Sequence, residues 1–219
     1  MSARHLAGAA PAPGATGRGS LLPFALVLAW CAGAATSAAV GMWPALGVTA
    51  VGTGTLALAL EGQTLRPLFR PTVAAIVAGL VTGAAMTAAT YALYPLVSHV
   101  SGAMARDTAR LYANLNASSH LWLSLVLVPV VIGEEVVWRG MVHGALARRF
   151  GPAVAVLLAA PLYAVAHAPV GSPVLVLAAL GCGLIWGGLR ATTASLLAPL
   201  VAHLLWDEIV LFLAPVAGR

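Results

Sequence analysis

The chain contains no lysine, and charged side chains of any kind make up only 8% of its 219 residues. Soluble domains carry roughly a quarter charged residues, so that class is excluded. Its two cysteines, Cys31 and Cys182, lie far apart in apolar runs and form no CxxC pair. They read as buried free thiols and leave the compartment open. No HExxH is present, which removes the familiar signal of a zinc protease. The net charge of +5 comes from eleven arginines against six acids. No basic stripe or aromatic platform accompanies it, so a nucleic-acid partner is excluded as well.

What is present is apolar. Hydrophobic residues account for 61% of the chain, and mean hydropathy is +0.96, the composition of a polytopic membrane protein. Residues 1–20, rich in Pro, Gly and Ala, read as a disordered tail. A signal peptide is set aside because the apolar stretch that follows is too long and leads into further spans. From residue 21 to residue 60 there is no charge and no histidine, which suits two spans of ~20 residues turning at Gly41-Met42-Trp43-Pro44. Trp43 is expected at the interface. A polar loop, 61–70, and a third span, 73–97, follow. Residues 98–118 are the longest polar connection. Further spans are expected at 119–147, 152–167, 173–189 and 193–213. The fold class is therefore an all-α transmembrane bundle of about seven helices.

The arginines sit mostly at the ends of these spans. With the N-terminus inside, Arg4, Arg18, Arg66, Arg70, Arg148, Arg149 and Arg190 face the cytoplasm, against Arg106, Arg110 and Arg219 outside. This points to a multi-pass plasma (inner) membrane protein. No internal repeat is apparent. Small residues recurring at Gly79 and Gly83, and at Gly183 and Gly187, suit close helix packing.

Four of the six acids lie within spans: Glu134, Glu135, Asp207 and Glu208. Ionisable groups in hydrocarbon are costly and mark functional sites or paired charges. Glu135 and Arg139 are four apart with the acid first, the better order for a helical ion pair, and are read as structural. Glu134 is turned about 100° away and lacks that partner. His203 and Asp207 share a helical face, as do Tyr163 and His167. Three helices thus each carry polar groups in an apolar setting, and pointing them into one interior cavity is the least costly arrangement. A carboxylate there, paired with a histidine, could deprotonate a water for attack on an amide carbonyl. A second histidine with a donor one turn along could stabilise the oxyanion. Ser124 is expected to bond back to its helix, and Pro129 is free to kink that helix. His143 is read as interfacial, Glu208 as capping or snorkelling near the outer surface, and Trp138 and Trp206 as cavity walls or packing.

Glu134-Glu135-x-x-x-Arg139, Tyr163-x-x-x-His167 and His203-x-x-x-Asp207, in that order, resemble the three motifs of the CPBP family of intramembrane proteases, which includes CAAX prenyl endopeptidases and bacteriocin-processing or self-immunity proteins. The resemblance spans about residues 119–213, a motif-bearing core behind an N-terminal group of helices at 21–118. It implies that Glu134 and His167 activate water and that His203 and Asp207 form the oxyanion site. Two positions depart from the usual pattern: phenylalanine is commoner where Tyr163 stands, and asparagine where Asp207 stands. An ionised Asp207 cannot donate to an oxyanion, so it must be protonated, orient His203 or bind a metal.

The reading is a peptidase without a cofactor, acting on a peptide or a membrane-anchored protein in contact with lipid. A zinc enzyme using Glu134, His167, His203 and Asp207 is the nearest alternative, and a non-cleaving immunity or scaffold protein is another. A proton-coupled transporter fits less well, because the ionisable groups crowd into one part of the chain.

Overall fold

The computed structural model describes residues 21–113, 115 and 120–216. The tail expected at 1–20 lies outside them. Every regular element among the described residues is helical.

The first crossing is α1 (Leu22–Ala35) continued by the short α2 (Ser37–Val40). Gly41, at φ +89°, makes the turn, a conformation that side chains with a Cβ rarely adopt. Helix α3 (Met42–Leu65) returns, and α4 (Val73–Val100) crosses again, with the Thr72 hydroxyl capping its first turn by accepting from the Ala75 amide. Then come α5 (Gly102–Ala113), α6 (His120–Glu135), a π-helical segment Val136–Val142 and α7 (His143–Phe150). Gly151 (φ +84°) and Pro152 start α8 (Pro152–His167). Helix α9 (Pro173–Thr193) and α10 (Leu197–Asp207), with its π-helical extension Glu208–Leu213, complete the bundle.

Among the described residues, five helical stretches are long and apolar enough to cross a membrane. Helices α6 and α10, which carry Glu134, Glu135 and Asp207, are not among them, and each passes into a π-helical segment at its acids. Such insertions into a helix cluster at functional sites.

Two connections differ from expectation. The polar loop at 61–70 is mostly helix: α3 runs on to Leu65 across a kink at Glu61, and a 3-10 turn, Arg66–Phe69, follows. In the 98–118 connection, Gly102–Ala113 is helical. Thr108 and Tyr112 are buried one turn apart, while Arg106 and Arg110 stay exposed, so the segment folds by covering an apolar surface. Pro129 sits inside α6, which continues past it.

Small residues bring the helices together. A Cβ on Gly133 would stand 2.2 Å from the Ala50 carbonyl oxygen, so α6 crosses α3 almost backbone to backbone immediately before Glu134. Gly79 and Gly83 admit the Ala198 and Ala202 carbonyls of α10, and Gly183 admits Ala160 of α8.

The crossings sort the turns into two ends. At one, the Leu196 amide donates to the Leu68 carbonyl, joining the turn after α9 to the turn after α3; Arg66, Arg70, Arg148, Arg149 and Arg190 belong to this end. At the other, Asp107 of α5 accepts from Ser172 Oγ at 2.8 Å and from the Val174 amide at 3.0 Å, tying α5 to the start of α9. Tyr112 of α5 donates to the Val210 carbonyl at 2.6 Å.

Candidate active site

The π-helical turn after Glu135 does not separate it from Arg139: the guanidinium lies 3.2 Å from Glu135 Oε1, with both residues buried. Neither terminal nitrogen of Arg139 has a hydrogen-bond partner among the described residues. The contact is one of charge, supplemented by the faces of Tyr163 and Trp186, whose centroids lie 4.5 Å and 5.0 Å from the guanidinium carbon.

Glu135 has a second partner that the spacing did not reveal. His203 Nδ1 is 2.9 Å from the same Oε1, and His203 Nε2 is 3.3 Å from Asp207 Oδ2. The ring stacks on Trp186 at 3.7 Å between centroids. His203 is thereby fixed at both nitrogens and on one face. The pair read as local to one helix is a three-residue cluster joining α6 to α10.

Glu134 takes another direction. Its Oε2 accepts the Tyr163 hydroxyl at 2.5 Å, and it forms no ion pair among the described residues. His167 Nδ1 lies 2.7 Å from the Tyr163 carbonyl oxygen. A carbonyl only accepts, so Nδ1 carries the proton and Nε2 is the nitrogen left to accept one. The Tyr163 and His167 rings meet edge to face at 4.5 Å.

One cavity of about 250 Å³ is lined by Glu134, Tyr163, His167, His203 and Asp207. All five are at most 9% exposed. Cys182, Trp186 and Trp206 line it too, and most of the remaining lining is aliphatic or aromatic. The structure therefore brings Glu134, His167, His203 and Asp207 to a single space. Glu135 and Arg139 stand behind it, absent from its lining.

Several peripheral assignments change. His143 is buried to 2%, not interfacial. Ser124 donates to Glu208 Oε2 at 2.6 Å instead of bonding back along its helix, and this holds Glu208 against α6. Trp43, expected at the interface, also lines the cavity. Trp138 is core and Trp206 a cavity wall, its indole N–H donating to Thr90. Cys182 is buried as expected, Cys31 only half-buried. Sequence reasoning missed the Tyr163 hydroxyl as the partner of Glu134; its signal was the departure from phenylalanine at that position. For Trp186 no signal existed, since an aromatic in an apolar span announces nothing.

Among the described residues no group of three or more His, Cys, Asp or Glu is arranged to hold a metal ion.

No curated protein and no solved structure matches the chain. Residues 116–209, however, match a family model described as type II CAAX prenyl endopeptidase, Rce1-like, a stretch that holds every residue of the three motifs. Residues 116–209 are thus similar to an Rce1-like CAAX protease domain, consistent with the CPBP family, and they lie within an all-α membrane bundle.

Proposed function

We propose that this protein is an intramembrane endopeptidase in which Glu134 and His167 activate the attacking water. The observation that carries the reading is the state of Glu134: a buried carboxylate with one oxygen held by a neutral hydroxyl and, among the described residues, the other uncommitted and no cation paired to it. A carboxylate kept for structure would have been given the arginine one turn away, and Glu135 has it instead.

In the proposed step Glu134 takes a proton from water, with His167 Nε2 as the second acceptor within the cavity. The hydroxide adds to the scissile carbonyl carbon, and charge develops on its oxygen. His203 supplies positive charge at that point. Asp207 fits the orienting role among those open to it, because it lies against His203 Nε2. The contact at 3.3 Å is longer than that from Nδ1 to Glu135, so Nε2 is the nitrogen that turns to the oxyanion. Collapse breaks the carbon–nitrogen bond, and the proton taken from water passes to the leaving amine.

The substrate is a peptide or membrane-anchored protein. The enzyme sits in the plasma membrane with its N-terminus in the cytoplasm, a placement supported by the arginines at one end of the bundle. No cofactor is required in this scheme. The zinc variant is the less favoured because its four donors do not converge as ligands.

The test is Glu134→Gln in reconstituted membranes with Glu135→Gln as matched control, scored for peptide cleavage and thermal melting. Cleavage should vanish in the Glu134 variant while melting stays parental. Processing at the parental rate would sink the mechanism and favour a pocket that binds without cutting. Stoichiometric zinc whose chelation abolishes cleavage would overturn the metal-free scheme.

A further inference from the structure

The cavity is one-sided. Its floor is the polar cluster, and its walls rise through Leu46, Thr90 and Ala178 to a rim that includes Met42, Leu111, Tyr112 and Leu175. Those rim residues belong to the start of α3, to α5 and to the start of α9, all at the end of the bundle where α5 lies. No lining residue comes from the turns at the opposite end, Arg66–Phe69 and the residues joining α7 to α8 and α9 to α10. The length of α8 gives the same answer. Its 16 residues span about 24 Å at 1.5 Å per residue, and His167 ends the helix farthest from Arg148 and Arg149.

Charge is also one-sided, in the opposite sense. The closed end carries Arg66, Arg70, Arg148, Arg149 and Arg190, with Glu61 as the acid nearest to it. At the open end the described charges are Arg106 and Arg110, offset in part by Asp107. Arginine in short loops stays on the cytoplasmic side of a membrane.

We infer that the active-site cavity opens away from the cytoplasm and takes apolar peptide segments presented from the far side of the membrane, as in the juxtamembrane region of an exported or anchored polypeptide. This rests on the protease reading above and adds the side of entry and the substrate class. The lining, mostly aliphatic and aromatic, favours apolar side chains on either side of the scissile bond, since a charged one would lose its hydration there without a partner. A tail displayed in the cytoplasm would meet the closed, arginine-bearing end.

Two measurements test it. In a Cys31→Ala, Cys182→Ala background, a single cysteine is placed at exposed Ala103 of α5 or at exposed Gln63 near the opposite end, and intact spheroplasts are treated with a membrane-impermeant maleimide. Ala103→Cys should label before lysis and Gln63→Cys only after it; the reverse pattern overturns the inference and leaves the protease reading untouched. The second uses the unaltered chain in sealed vesicles sorted by the accessibility of an N-terminal tag, with a quenched apolar peptide added outside. Vesicles with the tag inside should cleave it, and the signal should disappear in the Glu134→Gln protein. Cleavage confined to vesicles with the tag outside overturns the inference. Cleavage by neither population, even after detergent opens them, overturns the protease reading on which it rests.

Discussion

The two halves of the bundle solve the same problem, a polar side chain in an apolar medium, in different ways. In α3 and α4 the buried polar groups are threonines, and each satisfies itself within its own helix: Thr49 donates to the Ala45 carbonyl, Thr53 to Thr49 and Thr87 to Gly83, all four residues back. In α6, α8 and α10 the buried groups reach across helices, Tyr163 to Glu134 and His203 to Glu135, over separations of 29 and 68 residues. A bond that closes on its own helix says nothing about which helices are neighbours. One that needs a second helix fails unless the bundle is correctly assembled, so the same chemistry in the second region specifies both a fold and a site.

The comparison can be broken or sharpened by substitution, and the effects should fall in order. Largest is Glu134→Gln, expected to lower peptide cleavage by roughly 10²–10⁴-fold, the range for loss of a general base, with unchanged melting. Next is Glu135→Ala. It strands Arg139 and His203 without their shared carboxylate, and a buried pair broken this way loses about 3–5 kcal/mol; a large fall in melting temperature should separate it from Glu134→Gln, which leaves melting parental. Gly133→Ala comes third. Its Cβ would stand 2.2 Å from the Ala50 carbonyl oxygen, and forcing α6 off α3 should cost about 1–3 kcal/mol or more, read as a melting shift. Tyr163→Phe should slow turnover by roughly tenfold and lower the melting temperature by less than Glu135→Ala does, as expected for loss of a hydrogen bond of about 1.5–3 kcal/mol to a charged group. Smallest is Thr53→Val in the first region, which removes only a local bond and should cost under about 1.5 kcal/mol with parental kinetics. A Thr53→Val effect on turnover as large as that of Tyr163→Phe would erase the distinction between the two regions.

The crossings were legible because hydrocarbon demands long apolar runs, and the run from residue 21 to residue 60 with its turn at Gly41 could be read directly. Helix α5 was not legible. Arg106, Asp107 and Arg110 look like loop composition until the surface that Tyr112 and Leu111 cover is known. The i, i+4 pairs were readable for the same reason as the crossings: helical period is a local property. That Glu135 would serve His203 as well as Arg139, or that Ser124 would reach Glu208, is a fact about neighbours and lies outside any window of sequence.

The order of residues alone determined that this chain is a helical membrane bundle, that its acids and histidines fall in three motifs, and which of them share a helical face. Tertiary structure decided which carboxylate pairs with the arginine and which does not, that a tyrosine hydroxyl holds the second, and that one cavity is lined by Glu134, His167, His203 and Asp207. The physical reason is that helix period and hydropathy are set within about a turn or a span, whereas the partner of a buried charge is set by how closely helices pack. Here that approach is fixed by glycines such as Gly54 and Gly133, which the sequence spaces 79 positions apart (133 − 54) and the fold presses together.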